Sequence, residues 1–469
     1  MTEGKGAALR VVNFYENQFY LEANPGICHH RRKPSGSSMT SEATVRALPA
    51  PPPAFRWLVL VVISLAMFGN YYVYDAISPL ASVLKTQLGF TNSDLGLLQG
   101  IYSVPNIVMV LVGGILIDRI GVKKATFLFG VLCFAGALLT ALSPKLWVMA
   151  SGRLVFGLGA ESLIVAVTAA VAQWFRGKEL SFAFGINLLI ARLGSFAALN
   201  SPTWAQGAFG SWRTPLLIAA VFGAMCVIAA GIYWLMENRA ARKYTLGSQG
   251  GTDKVVWGDL LKFSPTYWYV VALCITFYSG IFPFQTFAVD FFEQAHGITR
   301  AKGGFLSSML TVFAMIGTPL FGLLVDRVGK RALFMMAGSL LLIPVYLLMG
   351  YTRISLFVPM AMMGIAFSLI PAVMWPSVAY LVPEEKLGTA YGLMTLIQNV
   401  GLAGFNFLIG WANDHAAASA ANPSGYRLGM WIFSCLGFFG FLFAYLLRRA
   451  ETGPGAKGLE TITTANQPG

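Results

Sequence analysis

The chain has 469 residues, of which 56% are hydrophobic and 11% charged, where an ordinary soluble domain carries about a quarter charged residues. This composition excludes a soluble globular enzyme and requires a lipid bilayer, in which the length allows about a dozen spans of about 20 residues each. The formal net charge of +13 fits either nucleic-acid binding or membrane orientation, and the placing of the basic residues decides between them.

Residues 1–54 are polar, rich in Gly, Ser, Pro and Arg, and end in "LPAPPPAF"; they read as a disordered tail. The tail has no apolar run ahead of a small-residue cleavage site, so it is not a secretory signal, and Met39 opens a candidate second start. Apolar runs between charged and Gly/Pro breaks then predict twelve spans, near 55–80, 93–116, 125–142, 146–173, 179–204, 213–236, 265–292, 303–325, 332–351, 354–381, 387–412 and 426–447. A polar segment at 237–264 separates an N-terminal bundle (55–236) from a C-terminal bundle (265–448), and 449–469 reads as a second disordered tail. With both termini cytoplasmic, 24 Lys and Arg lie on that side and 7 on the other, leaving Arg153 and Arg192 inside spans. The basic surplus therefore orients the chain and attracts anionic headgroups, and nucleic acid is not needed.

The two bundles repeat each other. "GILIDRIGVKK" carries Gly114, Asp118, Arg119, Gly121 and Lys123; "GLLVDRVGKR" carries Gly322, Asp326, Arg327, Gly329 and Arg331, each displaced by 208 residues. "GINLLIARLG" (Gly185–Gly194) matches "GLMTLIQNVG" (Gly392–Gly401) at a shift of 207, which sets Arg192 opposite Asn399. Duplicated bundles with a polar linker are the layout of transporters that rock two halves about a midplane site. The Gly-x-x-x-Asp-Arg-x-Gly loop, present twice, resembles the signature of the major facilitator superfamily. That resemblance implies an all-α membrane protein of twelve transmembrane helices in two pseudo-symmetric six-helix bundles. The glycines permit a tight turn, the aspartates can cap a neighbouring helix, and the cations can latch the halves together. The first copy departs from the pattern with Val122 where a basic residue is frequent. "RLVFGLG" (Arg153, Gly157, Gly159) resembles a second superfamily pattern found in ion-coupled members, although glycines of this kind also serve helix packing.

Longer strings narrow the resemblance. "RWLVLVVISLAMFGNYYVYD", "GLGAESLIVA", "WFRGKEL", "ARLGS", "MWPSVAYLVPEEKLGTAYG" and "IQNVGLA" are similar to the branch of lysosomal dipeptide transporters represented by major facilitator superfamily domain-containing protein 1. In that branch a fourth-span glutamate and a fifth-span arginine hold the two ends of a dipeptide, and the matching residues are Glu161 and Arg192. The chemistry agrees: a dipeptide is a zwitterion, and a charge at a span centre costs roughly 2.5–3.5 kcal/mol, so such residues face cavities and mark function. Glu161 can take the ammonium and Arg192 can fork onto the carboxylate. The structural alternative is a Glu161–Arg192 salt bridge; both readings are compatible with a pair that rests together when empty and parts around substrate.

Tyr71, Tyr72, Tyr74 and Asp75 in the first span, Tyr278 and Phe282 in the seventh, Trp375 in the tenth and Asn399 in the eleventh are candidate pocket residues. Asp75 and Glu161 are titratable, which leaves facilitative uniport and proton coupling both open. Pro105, Pro283, Pro371 and Pro376 remove backbone donors inside spans, and gating by bent seventh and tenth helices is expected. No paired Cys/His spacing and no Gly-x-x-x-x-Gly-Lys-Ser/Thr loop is present, so neither a metal nor a cofactor nor an enzyme is expected. The competing function is a proton-coupled carriage of organic anions or carboxylates, with Arg192 as anion site and Glu161 as proton site. The tail lacks an acidic dileucine signal, which favours a bacterial-type plasma membrane. The related transporters act with a glycosylated accessory subunit, and nothing in this chain requires one.

Overall fold

A computed structural model describes residues 49–175, 179–246, 263–383 and 386–463. Most of the expected N-terminal tail, the centre of the linker and the last six residues lie outside the described residues, as does the middle of "WFRGKEL". The helices run in the order α1 (Pro53–Asp75), α2 (Ala81–Leu88), α3 (Asn92–Gly100), α4 (Ser103–Ile120), α5 (Val122–Leu142), α6 (Leu146–Phe175), α7 (Leu180–Leu199), α8 (Ser201–Trp204) and α9 (Arg213–Ala240). The second half contributes α10 (Pro265–His296), α11 (Arg300–Val328), α12 (Arg331–Tyr351), α13 (Phe357–Leu381), α14 (Leu387–His415) and α15 (Arg427–Glu451). Among the described residues eleven helices are long and apolar enough to cross a membrane, or twelve when the bent pair Asn92–Val110 and Val112–Ile120 is one span. Helices suit this setting because they satisfy their own backbone groups where no water can.

The start of α1 below is taken as the terminal face of the bundle, and the α1–α3 turn as the distal face. Exposed Trp147, Trp204, Tyr351, Trp411 and Trp431 all lie near distal helix ends, where amphipathic rings mark a membrane–water boundary.

The repeat read from the sequence is realised as packing. In the first half α1 packs on α7 and α9, α5 on α6 and α9, and α4 on α6; in the second half α10 packs on α14 and α15, α12 on α13 and α15, and α11 on α13. Each pair in one half has its counterpart in the other. The halves meet where α3 and α4 touch α14 and where α7 touches α11.

Two details, the second span and the C-terminal segment, differ from the expectation. The second span is interrupted at Ile101–Tyr102, just before Pro105. Proline has no N–H for the Ile101 carbonyl, which instead accepts from Val104 N at 3.3 Å. The seventh and tenth spans, expected to bend, are continuous helices: α10 runs through Pro283 and α13 through Pro371 and Pro376. Beside Pro283, Tyr346 Oη donates to Gly280 O at 2.8 Å. The segment after α15 is docked as far as residue 463 rather than loose. Leu459 is fully buried, Glu460 Oε1 accepts from Ala332 N at 2.6 Å, and Arg331 Nη1 donates to Ile462 O at 2.6 Å.

Candidate functional site

Glu161 lies at the middle of α6 and Arg192 in the distal half of α7. They do not pair: among the described residues no ion pair joins them within 4.0 Å, so the expected resting salt bridge is replaced by other contacts. Glu161 Oε1 accepts a hydrogen bond from Tyr102 Oη at 3.2 Å. The Arg192 guanidinium carbon lies over two rings, 5.6 Å from the centroid of Tyr71 and 5.5 Å from that of Phe367. The reason is placement: Glu161 meets the interruption between α3 and α4, whereas Arg192 meets α1 and, across the interface, α13. Both residues are only partly buried.

Aromatic rings fill the distance between them. Tyr102 packs edge-on to Tyr74 at 4.9 Å, Tyr74 to Phe282 at 6.3 Å, and Phe282 to Phe367 at 5.8 Å. Phe282 also stacks on Tyr278 at 5.6 Å, whose hydroxyl accepts from Trp375 Nε1 at 2.9 Å. Tyr71, Tyr74, Tyr278, Phe282 and Trp375 are therefore brought to one central cluster that draws on both halves. Tyr72 is not. One residue on a helix turns the side chain by about 100°, and Tyr72 stacks on Phe222 of α9 at 3.9 Å, fully buried. Asn399 is buried too; its amide nitrogen donates to Thr395 O in its own helix at 3.0 Å, and its oxygen finds no partner among the described residues.

Asp75, 7% exposed, lines a small pocket with Ser78, Gln99 and, from the other half, Gln285 and Thr286. It feels the charges of Arg192 and Arg153 without an ion pair to either among the described residues. Arg153 has a separate task. Fully buried, it donates to Val73 O at 3.0 Å, Tyr74 O at 3.3 Å, Leu98 O at 3.3 Å and Gln99 Oε1 at 2.7 Å. The first three are backbone carbonyls of the last turns of α1 and α3, where a cation is favoured. Gly157 and Gly159 serve close approach, since a Cβ on Gly157 would meet Tyr102 O at 2.3 Å and one on Gly159 would meet Phe129 O at 2.6 Å.

The distal face beyond this cluster is tied across the halves. Lys85 of α2 pairs with Asp290 of α10, which also accepts from Tyr426 Oη at 2.9 Å. Ser82 donates to Glu293 Oε2 at 2.6 Å and accepts from Arg300 Nη2 at 3.0 Å. Asp414 of α14 caps α3 from the opposite half, accepting from Asn92 N at 2.8 Å and Ser93 N at 2.7 Å. Sequence inspection missed these residues, as it missed Tyr102 and Phe367, because single polar residues near loops and single rings in apolar spans carry no spacing signal.

On the terminal face both signature loops turn on glycines with left-handed φ, +82° at Gly121 and +68° at Gly329, a conformation that side chains disfavour. The family model described as "Major Facilitator Superfamily" matches residues 63–403 and 284–466. The chain belongs to the Major Facilitator Superfamily. It is thus a multi-pass membrane transporter with a small-molecule substrate. Among curated relatives, the lysosomal dipeptide transporter MFSD1 of Danio rerio is 33% identical over 396 residues, 81% of this chain and 84% of that protein. The protein of the same name from Homo sapiens is 32% identical over 417 residues, 85% of this chain and 88% of that protein. A more distant relative, the probable sulfoacetate transporter SauU of Cupriavidus necator, is 24% identical over 74% of this chain and 85% of that protein. Among solved structures, a bacterial homologue of the human lysosomal transporter Spinster, inward-facing and unoccupied, superposes with a TM-score of 0.68. It has 16% identity and covers 85% of this chain and 98% of that one; this likeness concerns the fold.

The superfamily loops are held within their own halves. Lys123 donates to Asn238 Oδ1 at 2.8 Å and lies 3.7 Å from Glu237, both in α9. Arg331, 1% exposed, pairs with Asp326 at 3.0 Å and sits 4.6 Å from the Tyr380 ring. Asp118, Arg119 and Arg327 are exposed, Gly114 is buried, and Gly322 has open space around it. The described contacts of Lys123 and Arg331 brace each half rather than latch the two together, because each cation finds its acceptor on a helix end or turn beside it.

Proposed function

We propose that this transporter carries dipeptides across a bacterial plasma membrane by alternating access, with both termini cytoplasmic, as a facilitative uniporter or a proton-coupled symporter. The observation that carries the reading is that Glu161 and Arg192 do not neutralise each other. Glu161 keeps a carboxylate oxygen for a substrate ammonium beside the Tyr102 hydroxyl. Arg192 keeps its N–H donors for a substrate carboxylate, since among the described residues they reach no acceptor. The rings between the two charges suit the apolar middle of a peptide. Relatives named lysosomal dipeptide transporters, at 32–33% identity over most of the chain, support the same substrate class. The excess of Lys and Arg on the side of the termini supports the orientation.

Carriage of organic anions is the second reading, supported by the more distant sulfoacetate relative. It needs Arg192 as an anion site and gives Glu161 a proton instead of an ammonium.

Melting of the detergent-purified protein separates the two readings, using free dipeptides, N-acetylated dipeptides and dicarboxylates with Glu161→Gln and Arg192→Ala as controls. A ligand at a hundred times its dissociation constant stabilises the fold by about 2.7 kcal/mol. Free dipeptides should raise the melting temperature, N-acetylation should abolish the effect, and each substitution should remove it. Stabilisation by dicarboxylates, or by acetylated and free peptides alike, would establish the anion reading in its place.

A further inference from the structure

We propose that Phe367 is a positioning residue for substrate carboxylate capture, acting through Arg192, and that it makes this capture sensitive to the closeness of the two halves. The proposal rests on the dipeptide reading above.

Arg192 is a membrane-embedded cation with neither an ion pair within 4.0 Å nor a hydrogen bond among the described residues; Asp75 reaches it only through its field. A charge in that setting normally takes an ion pair or a cluster of carbonyls, as Arg153 does. Arg192 has instead the Tyr71 ring from its own half and the Phe367 ring from the opposite half, at 5.6 and 5.5 Å. A ring face attracts a cation through its quadrupole without accepting N–H bonds in a fixed geometry. The two rings therefore hold the position of the guanidinium while leaving its bidentate edge unspent. A carboxylate that arrives displaces no protein acceptor, which is what preorganisation requires.

The two rings differ in how firmly they are tied to Arg192. Tyr71 lies on α1, which packs on α7 directly. Phe367 lies on α13 across the interface, 4% exposed, four residues before Pro371 and 5.8 Å from Phe282. Phe367 accordingly stays over Arg192 only while the halves are close at this level. Rocking apart withdraws one of the two rings and frees the guanidinium to move, so the affinity for carboxylate follows the conformational cycle.

The test uses full-length protein in proteoliposomes, with uptake of radiolabelled alanyl-alanine competed by unlabelled alanyl-alanine or by its C-terminal amide. The readout is the ratio of the two inhibition constants, which isolates the carboxylate contact from general packing. Wild type should prefer the free carboxylate. Arg192→Ala should bring the ratio to about one. Phe367→Leu should reduce the preference by about tenfold, a scale between the exposed and the desolvated cation–ring contact, beyond any weakening that the amide shares. Phe367→Trp, which keeps a ring, should restore the preference. Where a variant no longer transports, ligand-induced melting shifts of the purified protein supply the same ratio. A wild-type ratio in Phe367→Leu, or equal weakening of both competitors, would overturn the positioning role alone. An unchanged ratio in Arg192→Ala would overturn the dipeptide reading and this proposal together.

Discussion

The two faces of the molecule are built from the same kinds of residue and use them in opposite ways. On the distal face, Lys85–Asp290, Ser82 with Glu293 and Arg300, and Asp414 on the N-terminus of α3 all join one half to the other. On the terminal face, Lys123 reaches Glu237 and Asn238, and Arg331 reaches Asp326 and Ile462, so the described contacts of these signature cations stay within a half. Charge near a helix end is therefore not in itself a gate. What matters is whether its partner moves with it or against it during rocking. In the proposed alternating-access cycle, these distal contacts are the ones that must break for the central cluster to open on that side.

Breaking the distal ties should have the largest effect. Asp290 is fully buried and Lys85 partly so, and removing one partner of a buried pair typically costs up to about 3–5 kcal/mol because the other charge is stranded. Asp290→Asn should thus release the sealed state. In a cysteine-less background carrying Ser78→Cys, which sits behind the seal, distal maleimide labelling should accelerate at least tenfold; unchanged labelling would show that the pair does not hold the face shut. Asp414→Ala should act in the same direction and more weakly. It removes a helix cap supplied by the other half, and caps contribute about 0.5–2 kcal/mol. The same labelling assay should rank it below Asp290→Asn, and the opposite order would mean that the α3 cap is the principal tie.

The terminal face supplies the contrast and the smallest effect. Burial pushes the Glu460 carboxyl above its ordinary value, against the opposing pull of Ala332 N–H and Arg448. The docked segment consequently binds the proton more tightly than the free one, so docking is strongest below the ordinary glutamate value of 4.5 and weakens as pH rises through the folded value. A spin label at an introduced Ala456→Cys should gain mobility over that rise, and Glu460→Gln should flatten the dependence. Distal labelling should not respond; if it does, the two faces are coupled and the separation drawn between them fails.

The division between legible and illegible features follows particular residues. The displacement by 208 residues of one signature loop onto the other anticipated the matching helix pairs of the two halves, because a duplicated pattern of apolar faces can bury itself in only one repeated way. Glu161 and Arg192 stood out because a charge inside an apolar run needs a reason. Tyr71 and Tyr74 could not be told from Tyr72 in the string "YYVYD", since which of them looks inward depends on the rotation of α1 against α7 and α9. The break before Pro105 and the continuity through Pro283 were equally undecidable, as each proline removes one backbone hydrogen bond and the packing around it decides whether the helix is interrupted.

The order of apolar runs, their length against the bilayer, the distribution of basic residues and the internal repeat determined the membrane setting, the twelve-span architecture and the two charges to examine. These are properties of composition and spacing, which act locally along the chain. The partners of those charges were decided only in three dimensions. Glu161 turns to Tyr102 and Arg192 to rings from both halves, and Asp414 caps a helix more than 300 residues away. Such contacts depend on how two rigid bundles are set against each other, and nothing in the local pattern of either bundle encodes that.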